Sequence, residues 1–392
     1  MKIAIIGGGI VGLSLGYKLQ LIKENKVILF EKEPKVGLHQ SGRNSGVLHC
    51  GLAYKPGTLK AKLAVNGIKQ MISFCKKNNI EHEICGKIVV ANNDLEIKNL
   101  YNIYKRGKKN GLNGLKFLSK SELKNREPYV ISKKSLLVPE EGIVDYKGVM
   151  KSLESNIKEY GGYIKLSSNI KKIENKENKI YINGIDDAFD LLINCSGLQA
   201  DLTFKNLTNE RRPIKIVPFR GEYYKLTESA KKLVNHLIYP VGNPKFPFLG
   251  VHFTKMINGD REVGPNAVLS LKREGYKNTD VSFSEMYDYM IYPGFLKFIS
   301  KNFIFCINEF STSFLKSSFL NKAKKLIPEL RSKDIYSGPS GVRAQAIRNN
   351  GELHMDFEVI RKKNQIHILN APSPAATAAL SIADHIVETY IK

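Results

Sequence analysis

The sequence predicts an α/β fold. It consists of a Rossmann-type nucleotide-binding domain, discontinuous along the chain, and an inserted α+β domain containing a mainly antiparallel sheet. Three observations predict it. An apolar strand at the N-terminus runs into the glycine turn GGGIVG and then into a helical stretch. A second strong apolar strand, FDLLINCSG, ends in small residues near the middle of the chain. After it, from about Ile216, several short segments alternate like antiparallel strands.

The elements follow in order. KIAII is the first strand, IVGLSLGYKLQLIKE the helix after the turn and KVILFEK the second strand, which together make one βαβ unit. GTLKAKLAVNGIKQMISFCKKNN reads as a long helix, CGKIVVANN as a strand and DLEIKNLYNIYKRGKKNG as a helix. LKFLSKSELKNREPYV reads as a strand and a short helix, and EEGIVDYKGVMKSLESNIKEYGG as a turn and a helix. YIKLSSNIKKIE, KIYING and FDLLINCSG are short strands. IVPFRGEYYKLT, HLIYPVG, FLGVHFTKMI and REVGPNAVLSL build the antiparallel block, and residues 281–326 are helical, aromatic and basic. GVRAQAI, LHMDFEVI and QIHILNA return to strands before a closing helix, SPAATAALSIADHIVETYIK. This places the nucleotide domain at residues 1–78, 142–214 and 336–392, and the inserted domain at 79–141 and 215–335.

Composition narrows the function classes. A chain of 392 residues can bury a large core. No apolar run is long enough to span a bilayer, and with a strand at the very start no signal or transit peptide is expected. Five scattered cysteines without a CxxC fit a reducing cytosol and no structural zinc. The formal charge of +24 admits nucleic acid, an anionic membrane surface or an acidic substrate as partner. Only 12 of the 61 basic residues are Arg, and no nucleic-acid-binding motif accompanies them, so no nucleic-acid partner is expected.

Gly7, Gly9 and Gly12 form GxGxxG between a strand and a helix. The first allows the tight turn, the second lets backbone approach a pyrophosphate and the third lets helix and strand pack closely. Glu31 stands where a ribose-binding acid belongs. This fingerprint suits NAD and FAD equally. The next segment favours FAD: HQSGRNSGVLHCGLAY extends where an NAD domain continues into its next βα unit. A long ribityl-isoalloxazine arm needs such a cover. Ser41, Arg43, Asn44 and Ser45 offer hydrogen bonds to phosphate and ribityl oxygens, Gly46 allows close approach, and VLH carries His49 to the ring.

SGRNSGVLHCG and YKPGTLKAKL resemble the D-amino-acid-oxidase-like FAD superfamily, and more narrowly the L-2-hydroxyglutarate dehydrogenases. The likeness continues through EEGIVDYKGV, IVPFRGEYYKL, LIYPVGNPKFPFLGVHFT, GPNAVLSLKREGY, SGVRAQA and NAPSPAATAALSIADHI. It implies that Ser196 and Gly197 lie against the FAD diphosphate. It also implies that Ser373, Pro374, Ala375, Ala376 and Thr377 open the last helix and aim its dipole at the reduced flavin. The chemistry it implies is oxidation of an α-hydroxy acid by hydride transfer to flavin N5, with a base taking the hydroxyl proton. His49 and His252 are the candidate bases, and Arg343 forks the α-carboxylate. Lys60, Arg220 and Arg273 are candidates for the second carboxylate of a small dicarboxylate substrate, and Tyr54 and Tyr223 offer hydroxyls. Residues 281–326 read as a helical cap of the inserted domain or as an interfacial membrane element. The resemblance adds membrane quinone as electron acceptor, with the protein peripheral on the inner face of the cytoplasmic membrane. Rivals are an amine or glycine oxidase, or a glycerol-3-phosphate dehydrogenase, on the same fold. From another class, the rival is a basic nucleic-acid-binding protein.

Overall fold

The computed structural model describes residues 1–242 and 250–391. The stretch NPKFPFL, within LIYPVGNPKFPFLGVHFT, lies outside the described residues.

Five parallel strands form the nucleotide sheet. In spatial order they are Gln365–Asn370, Leu191–Asn194, Lys2–Ile6, Lys26–Phe30 and Tyr163–Lys165, with Glu358–Lys362 antiparallel at one edge. Strands such as KIAII, KVILF and LLIN are apolar at nearly every position because both faces are covered. On one face lie the helices Ile10–Gln20, Leu59–Lys77, Tyr146–Glu159 and Ala379–Ile386, and their apolar residues join Ile3, Ile5, Leu29 and Ile193 in the largest core. The other face is covered by a meander of Ile173–Lys176, Lys179–Ile182 and Ala188–Phe189. There Phe189 meets Phe30 edge-on, with ring centroids 6.0 Å apart.

The second sheet draws on two separate stretches of the chain. Lys87–Ala91, Lys116–Leu118 and Lys134–Val138 come from the first insertion, and Lys215–Leu226, Leu237–Pro240, His252–Lys255, Arg261–Gly264 and Val268–Leu269 from the second. The two halves join where Leu237–Pro240 pairs parallel to Lys87–Ala91, while the other pairs are antiparallel. One expected boundary needs correction. Ile335–Ile347 was expected to return to the nucleotide domain at residue 336. It instead pairs along almost the whole of Lys215–Leu226, from Lys215↔Ile347 to Leu226↔Ile335. Long antiparallel pairing satisfies backbone groups that a short parallel edge would leave open.

The start of the last helix also differs. Regular helix begins at Ala379, and residues 373–378 are turns. Pro372 and Pro374 disfavour helical backbone in the residues before them, so the regular helix cannot open at Ser373. The helices in 281–326 are Phe283–Met290, Pro293–Lys301, Phe303–Phe314 and Lys316–Lys324. Among the described residues no helix is long and apolar enough to cross a membrane.

Candidate active site

A cavity of about 650 Å³ opens beyond the carboxyl ends of the parallel strands, the usual ligand position in such sheets. It runs without a break from Gly7 and Gly9 to His252 and Arg343. Its volume is in the range of pockets that enclose a cofactor-sized ligand.

The glycine turn is sterically required. Gly7 has φ +108°, and a Cβ there would lie 2.5 Å from the Cys195 carbonyl oxygen. A Cβ on Gly12 would come within 2.0 Å of the Gly7 carbonyl oxygen. Gly12 therefore packs beneath the turn and does not line the cavity. Gly9, the N-cap, has no side chain to cover the helix start, where positive dipole and N–H groups favour a phosphate. Glu31 follows the second strand directly and lines the cavity. Its carboxylate accepts the Gly8 N–H at 2.6 Å and the Glu33 N–H at 2.9 Å, which fixes it against the turn.

Ser41, Arg43, Asn44 and Ser45 all line the cavity, yet their polar groups are partly committed to shaping their own loop. Ser41 Oγ accepts the Ile10 N–H at 2.9 Å. Asn44 donates to the carbonyls of Gln40 and Ser41 and accepts the Gly46 N–H. The Arg43 guanidinium stacks over Tyr276 at 3.8 Å. Gly46 is outside the lining; its φ of +64° turns the chain beside the Val144 carbonyl. Opposite this loop, Ser196 and Gly197 line the cavity, with the Ser196 hydroxyl donating to Asn194 Oδ1 at 2.6 Å. Ser373, Pro374, Ala375, Ala376 and Thr377 form a third wall. Thr377 Oγ1 accepts the His49 N–H and bonds the Tyr146 hydroxyl, tying this wall to the loop.

At the far end stand His49, Tyr223, Tyr239, His252 and Arg343. Tyr223 hydrogen-bonds both Arg343 and Ser45. His252 Nδ1 is 2.9 Å from the Gly250 carbonyl, so Nδ1 carries the proton and Nε2 the lone pair. Burial depresses its pKa to about 3, with Arg343, His49 and Lys87 adding to the effect against the Gly250 bond. His49 Nδ1 is 3.3 Å from Glu141 Oε2, and Lys87 Nζ is 2.6 Å from the same oxygen. Burial opposes ionisation of Glu141, but Lys87 and His49 overcome it and hold the carboxyl at about 2. Glu141, Lys87 and Tyr239 were missed as site residues. EEGIVDYKGV and LIYPVG contained two of them, but no local pattern shows what stands across a sheet.

The candidate cations separate clearly. Lys60 lines the cavity, with Nζ 3.2 Å from the Met355 carbonyl and 4.8 Å over the Tyr54 ring. Burial lowers its pKa to about 8, with Asp356 opposing. Tyr54 is not part of the lining; it lies behind it, hydrogen-bonded to Ser373. Arg220 and Arg273, expected near a second carboxylate, do not line the cavity. Arg220 donates to Glu222 at 3.0 and 3.1 Å, to the Lys277 carbonyl at 3.0 Å and to Asn278. Arg273, 1% exposed, binds Asp201 and the Leu198 carbonyl. A buried guanidinium must find anionic or carbonyl partners, and both found them inside the protein. Glu33, His39 and Glu274 bring ligand-type atoms within 4.8 Å of one another, and Lys32 Nζ bridges the two carboxylates at 2.9 and 2.5 Å.

Glycine cradle, ribose-side acid, long covering loop and unbroken cavity together fit a dinucleotide with an extended second arm. A family profile described as "FAD dependent oxidoreductase" (DAO) matches residues 2–389. The L-2-hydroxyglutarate dehydrogenase of Indibacter alkaliphilus is 45% identical over 100% of this chain and 99% of that protein. The Escherichia coli K12 enzyme of the same name is 40% identical over 98% and 91%. Among solved structures, L-alpha-glycerophosphate oxidase from Mycoplasma pneumoniae with FAD bound superposes with a TM-score of 0.79 at 21% identity, covering 99% of this chain and 94% of that one. Glycine oxidase from Geobacillus kaustophilus superposes with a TM-score of 0.72 at 15% identity, covering 98% and 94%. These two establish the fold alone. Chain-long identity and the cavity's construction agree, and the chain belongs to the FAD-dependent oxidoreductases, within them to the family of L-2-hydroxyglutarate dehydrogenases.

Proposed function

We propose that this protein oxidises L-2-hydroxyglutarate to 2-oxoglutarate at the His49–Arg343 end of the cavity. The observation that carries the reading is one cavity joining the glycine turn to two histidines and an arginine, in a chain up to 45% identical to enzymes of that name.

Bound FAD supplies the two-electron acceptor for the hydride that leaves Cα. Arg343, oriented through Tyr223, forks the α-carboxylate. Lys60 receives the distal carboxylate, because it lines the cavity and Arg220 and Arg273 do not. His49 takes the hydroxyl proton as the carbonyl forms. It suits the role better than His252, since a proton on His49 is compensated by Glu141. A proton on His252 would face the positive potential of Arg343, His49 and Lys87. Neutral His252 instead lines the same end of the cavity as an uncharged ring.

The reading extends to a quinone acceptor and a peripheral site on the inner face of the cytoplasmic membrane. Phe283, Tyr287 and Met290 are exposed along one helix face, as are Phe303, Ile304 and Ile307 along another. Phe283 is 82% and Ile304 77% exposed, far beyond scattered surface hydrophobics. Lys297 and Lys301 are exposed on the helix between them, and a formal charge of +24 favours an anionic surface.

Anaerobic mixing with L- and D-2-hydroxyglutarate tests the function. The L-isomer bleaches the flavin and yields 2-oxoglutarate, while the D-isomer does not. A colourless protein, or bleaching by glycine or glycerol phosphate and not by the L-hydroxy acid, rejects the reading.

A further inference from the structure

The small sheet beside the cavity places a carboxylate behind the candidate base. Val47–Leu48 pairs antiparallel with Gly142–Val144 in the register Val47↔Ile143 and Leu48↔Gly142. One step further along this register, His49 stands opposite Glu141. Glu141 is 1% exposed, His49 is half-buried, and their side chains meet at 3.3 Å. An isolated carboxylate cannot remain ionised at such a site. Lys87, on the adjoining strand of the large sheet, supplies the counter-charge at 2.6 Å and is itself 6% exposed.

The remaining neighbours do not compete for that role. Cys50 Sγ lies 3.5 Å from the second Glu141 oxygen, and burial with the nearby carboxylate keeps this thiol protonated. Tyr54 and Tyr239 also sense the Glu141 charge, and their phenols are held protonated by burial. Glu140, next in sequence, turns its Oε1 to the N–H groups of Asn113 and Gly114. From the cavity side, Arg343 adds positive potential, while buried His252 stays neutral.

We propose that Glu141, neutralised in the resting state by Lys87, is a positioning residue for His49: it holds Nδ1–H, points Nε2 into the cavity and compensates the imidazolium formed when the substrate hydroxyl gives up its proton. The inference rests on the reading of His49 as base. The substrate O–H bond breaks, the proton binds Nε2, and Nδ1–H stays hydrogen-bonded to a Glu141 that remains ionised throughout. With Arg343 and Lys87 already positive nearby, the site needs this compensation, because an imidazolium in a low-dielectric cavity is otherwise disfavoured.

Three variants of the flavin-loaded enzyme test it, read by kcat, KM and the pH dependence of kcat/KM. Glu141→Gln lowers kcat by about a hundredfold, leaves KM within about threefold and moves the acid limb down by about one pH unit, since the charged ring has lost its anion. Lys87→Met moves the acid limb the opposite way, because Glu141 then faces His49 alone. Glu141→Asp restores most of kcat. If Glu141→Gln does not retain flavin, the double variant Glu141→Gln/Lys87→Met removes both charges together and shows the same loss of kcat. Wild-type kcat and an unmoved acid limb in a folded Glu141→Gln or double variant overturn the inference. His49→Asn separates this from the underlying reading. If His49→Asn keeps kcat and its acid limb, the base assignment fails. If His49→Asn loses them and Glu141→Gln does not, only the positioning role fails.

Discussion

Tyr239 and His252 stack face to face, with ring centroids 4.0 Å apart and planes 27° from parallel. The two rings come from neighbouring antiparallel strands, Leu237–Pro240 and His252–Lys255, and both line the cavity. Stacking holds the imidazole flat while the Gly250 carbonyl keeps its proton on Nδ1. His252 is therefore a rigid neutral ring, and this has a consequence for stability.

His252 titrates near 6.5 when unfolded and at about 3 in the folded protein. Between those values the unfolded chain binds a proton that the native state refuses, so stability falls as pH drops from about 6.5 toward 3 and gains nothing above that window. From pH 7 to pH 5, wild type should lose about 2 kcal/mol more than His252→Gln. Urea unfolding at the two pH values checks this. Equal losses would remove the buried neutral imidazole from the account.

Arg343→Ala should raise KM for the hydroxy acid at least about tenfold, since a lost charge-assisted contact costs a few kcal/mol. Arg343→Lys should recover only part of it, because an ammonium cannot fork a carboxylate. Steady-state kinetics decide, and an unchanged KM in Arg343→Ala would leave the carboxylate without its proposed partner.

With its pKa depressed to about 8, Lys60 is a cation below that pH and increasingly neutral above it. If it binds the distal carboxylate, KM should climb on the alkaline side of about 8. In Lys60→Arg, whose charge persists, the climb should vanish. Monocarboxylic 2-hydroxy acids serve as the control, because they have no distal group to lose.

Gly12→Ala should yield protein that cannot retain FAD. The new methyl group would stand 2.0 Å from the Gly7 carbonyl oxygen, so the helix must back away from the turn. Overpacking of this kind costs about 1–3 kcal/mol, and it falls on the backbone that would cradle the diphosphate. Flavin content per chain after gel filtration measures the effect.

The triple variant Phe283→Ser, Phe303→Ser and Ile304→Ser should stop co-sedimenting with anionic vesicles while keeping turnover with a soluble dye. Wild-type sedimentation in the variant would count against docking through these helices.

Local spacing determined the nucleotide half of this protein. Strand, glycine turn and helix are encoded within a dozen residues, because a tight turn tolerates no Cβ and a doubly covered strand must be apolar throughout. The length and polarity of the loop from His39 likewise point to FAD. Tertiary structure decided the rest. Arg220 and Arg273 look like free cations in the chain, but folding brings Lys277 and Asn278 to the first and Asp201 to the second and takes both from the cavity. Glu141 looks like one acid in a surface turn, but strand register sets it behind His49. Ile335–Ile347 joined the inserted sheet because its pairing partner begins more than a hundred residues earlier. Periodicity records which face of an element is buried. It does not record what lies across the gap, and charge pairing and long-range register are properties of that gap.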